Sequence, residues 1–78
     1  MCKKVIYYPE ATVLKSYDTF VAVKRVAAED MVTEQHYSKT TTRQINEFLG
    51  GKEYTEEAAK VSQSLLDDMG KFIEAYHK

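Results

Sequence analysis

The first half of the chain alternates in the two-residue rhythm of extended segments, and the second half follows the longer period of helices. Val5-Ile6-Tyr7-Tyr8 is β-branched and aromatic, the composition that packs well on a pleated surface. Pro9 ends it, having no amide hydrogen to give a neighbouring strand. Ala11 to Tyr17 reads as a second, weaker strand. Thr19 to Val26 is the strongest, apolar at its centre on both alternating sets, as a central strand covered on at least one face would be. Ala27-Ala28-Glu29-Asp30 is a short polar break, and Met31 to Tyr37 resumes the extended pattern. Residues 19–37 therefore predict an antiparallel hairpin, with a helix over Ala27 to Gln35 as the competing reading.

Beyond residue 40 the period lengthens. Thr41-Thr42-Arg43-Gln44 matches a capping box, Ile45, Phe48 and Leu49 follow at helical spacing, and Gly50-Gly51 closes the element. Thr55, followed by Glu56 and Glu57, predicts the next helix start. From there Ala58, Val61, Leu65, Leu66, Met69, Phe72, Ile73 and Tyr76 fall within about 140° of a helical wheel, opposite Lys60, Gln63, Ser64, Asp67, Lys71 and Glu74. This pattern predicts one continuous helix over 55–76, about 33 Å long. A seven-residue strand spans only about 23 Å. The apolar stripe would overhang the sheet, and a second copy of the chain in a homodimer is its natural cover. Gly70, costly inside a helix, points to a bend or a close approach there. The expected fold class is α+β: one domain over 1–78, with a small antiparallel sheet of about three strands packed by a short helix and a long C-terminal amphipathic helix.

Length and composition narrow the function classes. At 78 residues the chain is shorter than a typical domain and its own core is small. Residues 1–49 hold seven basic against six acidic groups and residues 50–78 four against six. The net charge of −1 speaks against a basic nucleic-acid coat and an acidic tail alike. The single cysteine, Cys2, excludes an internal disulfide framework and suits a reducing, cytoplasmic setting. No apolar run approaches the roughly 20 residues of a membrane span, and no signal-peptide core follows Met1.

Chemistry-bearing patterns are sparse. There is no Cys-x-x-Cys, His-x-x-x-His or glycine-rich phosphate loop. Cys2 sits near a chain end, His77 suits a helix C-terminus as a cation, and Asp67 and Asp68 point about 100° apart, so neither catalysis nor a metal or other cofactor is expected. His36 to Gln44 is richer, with five hydroxyls, two cations, an imidazole and an amide around one helix start. Lys39, Thr40, Thr42, Arg43 and Asn46 form the candidate contact patch, able to meet a phosphate, a nucleotide, a nucleic acid or an acidic side chain. Helix capping and solvation alone account for the same residues. Tyr7, Tyr8, Tyr17, Phe20, Tyr54 and Tyr76 suit core-edge packing or interface anchoring. Glu56, Lys60, Asp67 and Glu74 mark a second, acidic candidate face.

Tyr37-Ser38-Lys39-Thr40-Thr41-Thr42-Arg43-Gln44-Ile45-Asn46-Glu47-Phe48-Leu49 resembles a pattern in short proteins encoded by bacteriophages and mobile elements, roughly Tyr-Ser-x-Thr-Thr-Ser/Thr-Lys/Arg-His-Ile-Asn-x-Phe-Leu. Ser16 to Ala22 is similar to their first strand, so the resemblance covers about residues 16–49. It departs at Gln44, where those proteins carry histidine, and no role of that histidine carries over. The resemblance implies a non-enzymatic accessory protein in the bacterial host cytoplasm. Such a protein would bind and occlude a host protein or ribonucleoprotein complex, in the manner of an anti-CRISPR inhibitor. A small binding module for nucleotide or nucleic-acid phosphate at 38–44 is the alternative.

Overall fold

A computed structural model describes residues 3–77. It is α+β: β1 (Lys3–Tyr7), β2 (Ala11–Ser16), β3 (Thr19–Arg25), β4 (Met31–Thr33), α1 (Lys39–Leu49), α2 (Lys52–Glu57), β5 (Ala59–Val61) and α3 (Gln63–Tyr76). The five strands form one sheet in chain order. β1 to β4 run antiparallel, and β5 lies parallel to β4, reached by a crossover through α1 and α2. The sheet is thus larger than the expected three strands, and mixed. The hairpin expected over 19–37 pairs as predicted, Ala22 with Val32 and Val23 with Met31, but its second strand stops at Thr33 and no helix forms over 27–35.

Both faces of the sheet are covered. On one, Ala11, Val13, Phe20, Val23 and Met31 pack with Leu66 and Ile73 of α3; on the other, Leu14, Val21, Ala22 and Val32 pack with Ile45 and Leu49 of α1 and with Ala58. A bulge in β3 sets this division. Leu14 pairs with Ala22 and Lys15 with Phe20, which leaves Val21 as an extra residue. The inserted residue shifts the alternation, so Phe20 and Val23, an odd number of positions apart, reach the same cluster. Between β2 and β3, Tyr17 and Asp18 both take left-handed conformations (φ 52° and 65°), as a two-residue turn matched to the strand twist requires.

The continuous helix expected over 55–76 is broken. α2 ends at Glu57, and Ala58 turns to extended backbone (φ −67°, ψ 150°). Ala59 N–H then donates to the Asp30 carbonyl at 2.8 Å, and Glu34 N–H to the Val61 carbonyl at 2.8 Å, adding β5 to the sheet edge. Ser62 restarts the helix, its hydroxyl accepting from Leu65 N–H at 3.3 Å. Alanine and lysine suit a helix as well as this short strand, so pairing with β4 decides the outcome. Thr55, expected as a cap, lies inside α2, with Gly51 at the N-cap. The start of α1 moves as well: Ser38, not Thr41, is the N-cap, its hydroxyl accepting from Thr41 N–H at 3.1 Å, while Gln44 is buried. Gly50 closes α1 in the left-handed conformation (φ 104°), as the sequence indicates.

Candidate functional site

Of the expected contact patch, Lys39, Thr42, Arg43 and Asn46 recur at helical spacing along α1. Lys39, Thr40, Thr42 and Arg43 are exposed and Asn46 is half-buried. Thr42 is tied locally, its hydroxyl donating to the Ser38 carbonyl at 3.1 Å. Tyr37 is exposed, and its hydroxyl donates to Gln63 Oε1 at 2.7 Å. The acidic face is not assembled. Glu56 belongs to α2 and Lys60 to β5, Asp67 accepts from Gln63 at 2.8 Å, and Glu74 faces Lys15 at 3.5 Å. Cys2 lies outside the described residues. Among the described residues, no group of three or more His, Cys, Asp or Glu side chains is placed to hold a metal ion, and no helix is long and apolar enough to cross a membrane.

Three other features emerge from the packing. Along α3, Leu66, Met69 and Ile73 turn toward the sheet, while Leu65, Phe72 and Tyr76 stand 49%, 71% and 72% exposed. Together with Ala11, Met69 and Ile73 they line a groove of about 530 Å³ rimmed by Glu10, Arg25 and Asp68. The exposure is lateral. α3 is about 21 Å long at 14 residues, so the apolar positions lie beside the sheet rather than overhanging it. Arg25 Nε donates to the Glu29 carbonyl at 3.1 Å.

At the end of the groove, His77 joins the chain's last turn to its first. Its Nε2 lies 2.6 and 2.8 Å from the two Glu10 carboxylate oxygens, and its ring stacks on Tyr8 with centroids 4.7 Å apart. Glu10's own backbone N–H is the main influence holding its carboxyl below the usual value of 4.5; burial opposes it, and the hydrogen bond and charge of His77 lower it further. His77 is therefore a tether, where its position suggested a free cation at a helix end.

The third feature is an amide hub. Gln63 Oε1 accepts from Thr33 Oγ1 and from the Tyr37 hydroxyl, both at 2.7 Å; its Nε2 donates to the Phe20 carbonyl at 2.7 Å and to Asp67 at 2.8 Å. Both lone pairs and both N–H groups of the side chain are used, joining β3, β4, the segment before α1 and α3. On a continuous helix Gln63 would lie on the solvent face; the break at 58–61 turns it inward.

A five-stranded mixed sheet with α3 on one face and α1 on the other defines a small α+β domain whose free apolar surface lies along its last helix. The chain belongs to DUF8033, a family of unknown function, which it matches over residues 1–68. The match spans the whole sheet and ends within α3, before Phe72 and Tyr76. No curated protein and no solved structure matches the chain.

Proposed function

We propose that this chain is a non-enzymatic interaction protein of the phage accessory kind, which docks on a host defence complex through the α3 groove and occludes it, as anti-CRISPR inhibitors do. The observation that carries the reading is the strip of Leu65, Phe72 and Tyr76, three large apolar side chains left in water beside a preformed groove. Such rings and branched chains anchor interfaces when a partner desolvates them. The rim selects the partner's chemistry. Arg25 is engaged with a backbone carbonyl and Glu10 with His77, so Asp68 is the rim charge placed to meet a Lys or Arg beside a partner's apolar ridge. Complexes that handle nucleic acid expose surfaces of that type, while nucleic acid itself would be repelled by the two carboxylates. The contact patch first expected at Lys39, Thr40, Thr42, Arg43 and Asn46 gives way to this groove, because it offers exposed charge without apolar anchors.

The test is phage plating on bacteria carrying active CRISPR nucleases of several types, with the full chain expressed. Wild type should restore plating against at least one type, and Leu65→Asp with Phe72→Asp should abolish the effect while leaving the folded chain in solution. Restoration by the double variant, or none by wild type, overturns the proposal. Sedimentation showing the groove closed by a second copy of the chain at working concentration also overturns it.

A further inference from the structure

Along α3, Leu65, Met69, Phe72 and Tyr76 succeed one another at intervals of four, three and four residues. That spacing is the seam by which one helix lies lengthwise on another. It runs beside Leu66 and Ile73, which the sheet covers, so α3 carries a second apolar face, with Leu65, Phe72 and Tyr76 in water and Met69 half-buried. The sheet side of the groove restricts what can rest there. It is bounded by the ends of β2 and β3, inner strands whose Ala11 and Arg25 pair with each other. Ala11 also spends its N–H and its carbonyl on Tyr8, at 3.3 and 2.8 Å. An extended segment laid in the groove would find no sheet edge to join and would bury amides without partners, whereas a helix satisfies its backbone internally. The volume of about 530 Å³ takes about three side chains the size of benzene, at about 150 Å³ each, the number that two helical turns present along one face. Asp68, an exposed carboxylate three residues after Leu65 and four before Phe72, flanks the seam.

We propose that the occupant of the α3 groove is a single amphipathic α-helix of the partner protein. It lays large apolar side chains, spaced at three- and four-residue intervals, along Leu65, Met69, Phe72 and Tyr76, and sets a Lys or Arg beside them against Asp68. This rests on the reading that the groove docks a partner and adds the form and the charge of the segment that enters it.

The experiment is selection on the folded full chain from two displayed libraries of peptides about 16 residues long, enough to span the seam as a helix. One library fixes apolar residues at alternating three- and four-residue intervals and the other at every second position; both leave the remaining positions random. Binders are expected from the first library, enriched in Lys or Arg beside the apolar ridge. As free peptides they should bind at least about tenfold more weakly to Leu65→Asp with Phe72→Asp, variants whose fold circular dichroism verifies. Asp68→Lys should turn the enrichment to Glu or Asp at the same positions. Binders drawn equally from the second library, no binders from either, unchanged charges on Asp68→Lys, or a chain already paired through α3 with a second copy overturn the proposal. The outcomes are separable from phage plating. A chain that restores plating yet selects no helical peptide docks its target in another form, and the helix inference falls alone. Helical binders obtained without any plating effect support the helix site, and the defence target falls instead.

Discussion

The ring of Phe20 lies against the backbone of Gly70, so close that a Cβ on Gly70 would meet Cδ1 and stand 2.6 Å from Cγ. A residue that weakens α3 by about 1 kcal/mol in helix propensity is retained because the sheet needs that space. Phe20 is itself buried, so its ring has no free direction in which to retreat. Gly70→Ala should therefore destabilise the fold by about 1–3 kcal/mol, the overpacking exceeding the propensity gain. In urea denaturation, Phe20→Leu combined with Gly70→Ala should cost less than the sum of the two single changes, because the two sites are in contact.

Gln63 is the second point where one side chain determines how elements meet. Gln63→Ala removes four hydrogen bonds and leaves the Thr33 hydroxyl and the Phe20 carbonyl to find water, at about 2 kcal/mol in all. Gln63→Glu should behave differently with pH. At neutral pH it sets a carboxylate against Asp67 and the Phe20 carbonyl, so its deficit should shrink as acid protonates it. Melting curves of both variants at neutral and mildly acidic pH check this.

Much of this architecture is legible in the residues, and the misreadings share one cause. β3 stands out because its centre is apolar on both alternating sets, β2 more weakly, and Gly50 marks the end of α1 because left-handed backbone favours glycine. The segment 58–61 does not stand out. Its alanines and Lys60 suit a helix, and three residues are too few to display a strand period, so only the pairing with β4 reveals β5. Ser62, a residue type that favours helix N-caps, was a usable sign of a restart, masked by the favourable wheel of the longer span. The candidate site was harder to see. The groove combines Leu65, Phe72 and Tyr76 with Glu10 and Arg25, 40 or more residues away in sequence.

The restart itself is testable. Ser62→Ala should destabilise the protein by about 1 kcal/mol through loss of the cap, and Ser62→Asp should retain most of the stability. Chemical denaturation of the three proteins side by side measures both.

Glu10, held chiefly by its own backbone N–H and secondarily by His77, gives a defined pH dependence. The Glu10 carboxyl is held below its ordinary 4.5 in the folded chain, so its contribution is fully present above that value and is lost as pH falls through the lowered one. Glu10→Gln should lower the melting temperature at neutral pH, and its difference from wild type should close in acid. A difference that grows on acidification would contradict the assignment.

Finally, the order of the strands bears on how copies of the chain treat one another in a crowded solution. The outer strands are β1, which carries Lys3 and Lys4, and β5, which is three residues long and carries Lys60 at its centre. Ammonium groups and brevity at the two margins discourage strand-to-strand stacking into fibrils. The molecule can therefore keep a greasy docking strip on its last helix without its sheet seeding aggregates.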